Sequence, residues 1–315
     1  MTESILQPAE SCNEEVFREA DDPAPATTRV LRPSDGSSRL AHLLPLLRCP
    51  ETRQPLVLSP SGDALISDDG SRRWPLVMGR PVLFPGLDVP VINSDAHLSN
   101  PLPATALSMI GNTPGPILHL SAGGSAERFE HVIEVDAAVF RHTDLICDAH
   151  RLPFADRVFD AVIALNAFEH YRDPHTAAQE ILRVLGPGGR VLIHTAFLQP
   201  LHEAPWHFYN CTRYGLEAWF EDFEIEKLHV SPNLHPGYSL SWLASECELA
   251  LRSCVSNSDA DIFLDAPLRR IISLWRTRES GRAEEPIWNG LAALPQHIQE
   301  ALAAGFELIG RKPLV

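Results

Sequence analysis

The sequence predicts an α/β protein: a parallel, doubly wound sheet with a trimmed first half, preceded by a small β-rich module. Two observations carry this reading. From residue 116 onward short apolar runs alternate with amphipathic segments, and strands that alternate with helices imply a parallel sheet. Before that, "LAHLLPLLRCPETRQPLVLSPSGDALISDDGSRRWPLVMGRPVLFP" breaks its apolar runs at Ser61-Gly62, Asp69-Gly70 and Met78-Gly79, which is the turn chemistry of hairpins.

In chain order, residues 1–38 are rich in Pro, Ser, Asp, Glu and Ala without periodicity and read as a tail. Residues 39–86 form the β-rich module, and the proline-bearing stretch 87–114 reads as an extended linker or lid. The unit 115–315 opens with strands Ile117–Leu120, Val132–Val135 and Asp144–Cys147, then a buried fourth, "FDAVIAL" (159–165). About ten residues separate Ser121 from Val132, so the first crossover has room for one or two helical turns at most, and the second is as short. "HTAAQEILRVL" (175–185) lays Ala178, Ile181, Leu182 and Leu185 along one helical face, Gly186-Pro187-Gly188-Gly189 ends that helix, and "RVLIHTAF" is a fifth strand. A further helix, a sixth strand near 224–230 and a helical insertion over about 231–304 follow. Within the insertion Leu240, Leu243, Cys247, Leu251 and Cys254 recur at helical spacing, and "FELIGRKP" (306–313) reads as a closing strand. The insertion is expected to lie over one side of the site.

Composition narrows the function classes. With 26 basic and 41 acidic residues the formal charge is −15, which repels nucleic-acid phosphate and anionic membrane surfaces. A nucleic-acid substrate is therefore not expected. The six cysteines form no CxxC pair and read as reduced, mostly buried thiols of a cytoplasmic protein. "MTESILQPAESCNEEVF" lacks the apolar core of a secretory signal, and no apolar run is long enough for a spanning helix.

The chemistry concentrates in two stretches. "PILHLSAGGSAERFEHVIEVD" (116–136) is a strand, a glycine turn and a second strand, and "DLICDAHRLPFADRVFDAVIALNAFEHYRDPHTAAQEILRVLGPGGRVLI" follows it. The ordered signals Asp148-Ala149, "LPF" (152–154), "FDAV" (159–162), "FEH" (168–170) and "RVLGPGG" (183–189) resemble the class I S-adenosylmethionine-dependent methyltransferases of the methyltransferase-11 type. The resemblance covers roughly 116–230, with a family-like closing strand at 306–313. The shortened first half and "FLQPLHEAPWHFYNCTRYGLEAWF" resemble a subgroup that travels with glycan or natural-product pathways, which implies a small-molecule or glycan acceptor. The N-terminal module, "LLRCPETRQPL…WPLVMGRPVLF", is similar to Trm112-like small domains. Cys49 stands alone where zinc-binding members carry two cysteine pairs, so a structural role without zinc is expected there.

The resemblance implies a role for each position. Asp136 would accept from the ribose hydroxyls of S-adenosylmethionine and Asp148 from the adenine amino group. The backbone of Ala149 would complete the adenine contacts, and Leu152 with Phe154 would pack the base. Ser121, Gly123 and Gly124 would present backbone N–H groups to the methionine carboxylate, and Asn166 and His170 would shape the cofactor pocket. Two departures stand out: His119 replaces an expected acid, and Ser121 replaces the first glycine, so binding is expected to be weaker than usual. Beyond the fifth strand, His202 and His207 are candidates for acceptor contact or general base. They crowd with His194 and Glu203, but without a dense ligand motif no metal site is expected. Trp206, Phe208 and Tyr209 read equally as core or as substrate wall. The rival to an enzyme is a catalytically inactive subunit that stabilises or regulates a protein partner.

Overall fold

A computed structural model describes residues 36–87, 90–93, 98–254, 257–276 and 286–302. The closing strand expected at 306–313 and nearly all of the N-terminal tail lie outside the described residues.

Strands β1 (Leu56–Leu58), β2 (Ala64–Ser67), β3 (Arg73–Val77) and β4 (Arg80–Leu83) form an antiparallel meander. The two-residue turn between β3 and β4 places Met78 at φ 51° and Gly79 at φ 74°, the left-handed pair that matches strand twist in a tight hairpin. Strands β5 (Ile117–Leu120), β6 (Val132–Asp136), β7 (Leu145–Cys147), β8 (Phe159–Leu165) and β9 (Leu185–His194) are parallel. All nine belong to one sheet of order β1-β2-β3-β4-β7-β6-β5-β8-β9. The outer edge, which the sequence left unread, is closed by the N-terminal module: β4 pairs in parallel with β7, Val82 opposite Ile146 and Leu83 opposite Cys147.

Side-chain alternation gives the parallel sheet two apolar faces. Leu118, Leu120, Ile133, Val135, Val162 and Ala164 face a core that also holds Leu47, Cys49, Leu56, Leu65 and Trp74 of the module. Ile117, Val132, Ala161 and Ile163 face the other side, against Ala106 and Ile110. Helix α3 (Pro174–Val184) covers the first face because Ala177, Ala178, Ile181 and Val184 are fully buried; Leu182, expected on that stripe, faces solvent. Asp173 caps it by accepting from Thr176 N–H, and Pro174 sits at its first turn, where no N–H is needed.

Several expectations are corrected. The first crossover contains no helix at all, and neither does the second. The face left bare is taken by α2 (Ala104–Asn112), which lies within the stretch read as extended linker. Ten residues cannot both turn and return as a helix, so cover arrives from upstream. No strand forms at 224–230: after α4 (Arg213–Trp219) the chain is irregular. Helix α5 (Pro236–Cys254) spans the predicted helical stripe but buries only Ala250 and Leu251, leaving Leu240 and Leu243 exposed. With Asn257–Leu264, Pro286–Ala292 and Gln296–Leu302 it makes a separate small core around Leu251, Ala260 and Leu294. No helix among the described residues is long and apolar enough to cross a membrane.

The bare crossovers are held by charge. Asp144, buried before β7, takes a bidentate contact from Arg39 of helix α1 (Gly36–Leu43) at 3.0 Å on each oxygen, and a further one from Arg128. It also accepts from Glu134 N–H at 2.9 Å, while Arg39 donates to Glu130 O at 2.6 Å. Asp144→Ala would leave two guanidinium groups without a counter-charge, so it should destabilise the protein by about 3–5 kcal/mol. Urea unfolding measures this; a loss below about 1 kcal/mol would mean the cluster is ornamental.

His119 and Glu134 are opposite each other on β5 and β6, and both are buried. Burial drives His119 down to about 4 and pushes Glu134 up to about 7, the latter despite the hydrogen bond from Ser125 Oγ at 2.6 Å. The two signs oppose. The lowered His119 favours the fold above its unfolded value near 6.5 and loses that contribution as pH falls toward 4. The raised Glu134 favours the fold below its unfolded value near 4.5 and loses that as pH rises toward 7. Between these values folding takes a proton from one and gives one to the other. In Glu134→Gln the stability should therefore gain a positive slope of about 1.4 kcal/mol per pH unit across that window, relative to wild type. Denaturant titrations at stepped pH test it, and parallel profiles for the two proteins would refute the pairing.

Candidate functional site

In an open parallel sheet the ligand crevice lies at the carboxyl ends of the strands, where successive connections leave in opposite directions. Here that point is β5, flanked by β6 on one side and β8 on the other. Ser121, Asp136, Asp148 and Asn166 follow or end β5, β6, β7 and β8 in turn, so four of the residues singled out from sequence lie along one edge.

The glycine turn is built more tightly than its sequence suggests. Ser121 adopts φ 53°, a left-handed conformation costly for a residue with a side chain. Its Oγ lies 2.7 Å from the hydroxyl of Tyr171, which is buried directly after the "FEH" turn. Gly123 (φ 59°) donates its N–H to Asp136 Oδ2 at 3.0 Å, and Gly124 donates to Ser99 Oγ at 2.9 Å. Ser99 N–H returns a bond to Gly124 O at 2.8 Å. A Cβ at position 123 would stand 2.3 Å from Ser99 Oγ, so that hydroxyl would have to turn away from Gly124 N–H, and the positive φ itself favours glycine. Two of the N–H groups expected to face a cofactor carboxylate are thus turned onto the protein itself. Ser99 was missed by sequence reasoning, since nothing in a lone serine of a proline-bearing stretch points to the loop it closes.

Asp136 sits in partial burial, which pushes its carboxyl up; hydrogen bonds from Gly123, Ala138 and Ala137 N–H work against that, and the Glu203 charge adds to it. Each carboxylate oxygen can accept twice, so capacity for a diol remains. Asp148 caps the turn Ala149–Arg151 and accepts from His150 N–H at 2.9 Å. His150 Nδ1 lies 2.6 Å from the same oxygen, and Asp173 N–H donates to His150 Nε2 at 3.2 Å. Nε2 is therefore the acceptor and Nδ1 carries the proton. Burial raises the Asp148 carboxyl, but the two His150 bonds outweigh it and leave it lowered and ionised.

The base-packing role expected of Leu152 and Phe154 is corrected. Both are wholly buried, Phe154 edge-on to Phe159 with ring centres 4.9 Å apart, so they support the edge from inside the core. Ala149 is buried beside them. Asn166, at φ 50°, donates its N–H to His194 O at 2.9 Å, and its buried Oδ1 has no protein partner.

Beyond β8 and β9 the "FEH" turn and the 202–209 loop are zipped together, with Glu169 O accepting from Phe208 N–H at 2.8 Å. His170, His202 and His207 cluster, the last two with ring centres 4.2 Å apart. His207 accepts at Nδ1 from His202 N–H at 3.2 Å, so its Nε2 carries the proton and donates to Tyr209 O at 3.1 Å. Both nitrogens are engaged, which removes His207 as a base; it positions His202. His202 donates from Nδ1 to Pro200 O at 2.9 Å and keeps Nε2 as an open lone pair. Trp242 of α5 lies against it, ring centres 5.4 Å apart, which brings the helical insertion to this side of the site. His194 is apart from the cluster, with Nδ1 turned to Asn233. Trp206 and Tyr209 are exposed and Phe208 is half-buried beneath Arg172, so none of the three is core.

With that geometry in view, parts of the chain can be compared with known proteins. Residues 126–193 match the family model described as "Methyltransferase domain". The chain is 30% identical over 95 residues to the ubiquinone/menaquinone biosynthesis C-methyltransferase UbiE of Bordetella avium, covering 29% of this chain and 37% of that one. It is 30% identical over 80 residues to the probable tRNA methyltransferase 9B of Mus musculus, covering 22% and 18%. The match thus spans well under half the length of these relatives. Among solved structures, a Haemonchus contortus phosphoethanolamine N-methyltransferase 2 complexed with S-adenosyl-L-methionine aligns over 50% of this chain and 45% of that chain, at 20% identity and TM-score 0.35.

The Ser121–Tyr171 bond is the testable support of the turn. Ser121→Ala keeps the left-handed backbone and orphans a buried hydroxyl, so it should cost about 1–3 kcal/mol. Ser121→Gly should cost less, because it relieves the strained φ while losing the same bond. Adding Tyr171→Phe to Ser121→Ala should cost less than the sum of the two single changes. Strict additivity in urea unfolding would show that the two hydroxyls are not coupled.

Proposed function

We propose that this chain is an S-adenosylmethionine-dependent methyltransferase acting on a small-molecule or glycan acceptor. The observation that carries the reading is Asp136: a partly buried carboxylate at the end of β6, beside a left-handed glycine turn, at the sheet's switch point. Asp148, one strand further out, supplies the second carboxylate of a nucleoside site. The matched methyltransferase-domain segment includes both. A net acidic balance of charge supports a neutral or cationic acceptor over a polyanion.

In this reading the ribose hydroxyls donate to Asp136 and the adenine amino group to Asp148. Bound S-adenosylmethionine would supply its sulfonium methyl to the acceptor's nucleophile in an in-line transfer, with S-adenosylhomocysteine as the leaving group. Most of the acceleration comes from holding donor and acceptor in attack geometry. The acceptor side is formed by the "FEH" turn and the 202–209 loop, where the open His202 Nε2 can take a hydroxyl or ammonium proton. Residues 39–86 serve as structural extension of the sheet. A non-catalytic reading has one observation in its favour: the Gly123 and Gly124 N–H groups are already bonded within the protein.

Isothermal titration separates the two. Wild type should bind S-adenosylmethionine or S-adenosylhomocysteine with Kd of roughly 1–300 µM, about 5–8 kcal/mol. Asp136→Ala should remain folded and weaken binding by about 1.5–3 kcal/mol, the worth of a hydrogen bond to a charged group. No heat at millimolar ligand would sink the enzyme reading and leave the non-catalytic subunit.

A further inference from the structure

We propose that Glu169, His170 and His202 form a binding site for one divalent first-row transition-metal ion. The three residues offer ligand atoms that all lie within 4.8 Å of one another. Bond lengths of about 2.0–2.2 Å would bring such atoms to roughly 3–4 Å apart, so a small side-chain rotation closes the set.

Three features go beyond proximity. First, Glu169 is fully buried, and its Oε1 has no hydrogen-bond partner, while Oε2 accepts from Thr195 Oγ1 at 3.0 Å. A buried carboxylate oxygen without a partner is costly unless a cation or donor meets it. Second, both histidines have one ring nitrogen held by the protein and the other left as an acceptor. His170 Nδ1 lies 3.1 Å from Trp206 O and His202 Nδ1 lies 2.9 Å from Pro200 O. A carbonyl can only accept, so each Nδ1 carries the proton and each Nε2 presents its lone pair; metal-bound histidines are fixed by this same outer contact. Third, the pieces come from separate parts of the chain and are clamped together. Glu169 and His170 follow β8, His202 follows β9, and Glu169 O binds the Phe208 and Tyr209 N–H groups at 2.8 and 3.2 Å. His207 then holds the His202 backbone N–H.

Two imidazoles and one carboxylate suit zinc, iron(II), cobalt or nickel, whereas calcium and magnesium favour all-oxygen sets. Three protein ligands leave open positions, the mark of an exchangeable site. An acceptor oxygen or nitrogen could occupy one of them, in which case the ion, not His202, would meet the acceptor. The expectation of no metal drawn from sequence weighed His194, His202, His207 and Glu203; only His202 of these takes part.

The test uses the full chain, dialysed against a chelator and then titrated with ZnCl2 by calorimetry and with CoCl2 by visible absorption, without any cofactor. One ion per chain should bind, and Zn2+ should raise the Tm. His202→Ala, on a half-buried loop, and Glu169→Gln, nearly isosteric, should each weaken binding at least about tenfold and abolish the Zn2+-dependent rise. His194→Ala should bind as wild type. No binding, or wild-type affinity in His202→Ala, would overturn the proposal, and His202→Ala decides if Glu169→Gln does not fold. Because no cofactor is present, a chain that binds the ion but not S-adenosylmethionine would keep this site and lose the methyltransferase reading, and the reverse result would do the opposite.

Discussion

The parallel pairing of β4 with β7 is the constraint on which the rest of the structure depends. Strand β7 has three residues, and the connections on either side of it contain no α-helix. Without β4 it would be a bare edge on a sheet whose face was exposed as well. The N-terminal module supplies both kinds of cover. Its β4 satisfies the edge, and its Leu47, Leu56, Leu65 and Trp74 fill the same core as Leu118, Leu145, Phe154 and Phe159. Backbone bonds from Arg48 N–H to Pro153 O and from Ala155 N–H to Leu46 O stitch the two sequence regions at 2.8 and 2.9 Å. A module of this size has too little core to stand on its own, and a sheet this trimmed has too little cover, so each completes the other.

That arrangement also places the candidate cofactor edge. The Arg39–Asp144–Arg128 cluster ties helix α1 to the crossovers on either side of β6, at whose end Asp136 stands. The turn after β5 is tied from two other directions, by Ser99 of the segment ahead of α2 and by Tyr171 after the "FEH" turn. Three parts of the chain, the end of β6, Ser99 and Tyr171, therefore converge on residues 121–124. The strained φ of Ser121 is tolerated because its side chain is bonded to a buried hydroxyl. Substitution of a glycine at this position exchanges permissive backbone for a specific tether.

On the other side of the switch point the chemistry is carried by loops held on rigid strand ends. Asn166 and Glu169 each keep one buried oxygen without a protein partner, and both lie within a few residues of the end of β8. Unpaired buried acceptors are rare enough that two so close together mark a place built for something other than packing. His202 and His207, which look equivalent in sequence, are divided by hydrogen bonding: one keeps a lone pair and the other has none to spare.

The sequence by itself determined the parallel strands and their order of appearance, the helix read at 175–185, and the β-rich character of residues 39–86. These follow from local periodicity and turn residues, which are properties of neighbouring positions. The position of Asp136 and Asp148 at strand ends was legible for the same reason, since a strand end is visible in the pattern. Leu152 and Phe154 were misplaced because "LPF" shows apolar residues without showing which way they face, and they face inward. The strand expected at 224–230 failed because alternation alone does not supply a partner edge. Only the tertiary structure decided that β4 joins β7, that Ser99 closes the glycine turn, that Arg39 neutralises Asp144, and that Glu169, His170 and His202 meet. Each of these contacts spans tens of residues, and its energy depends on burial and on hydrogen-bond partners that no local stretch of sequence contains.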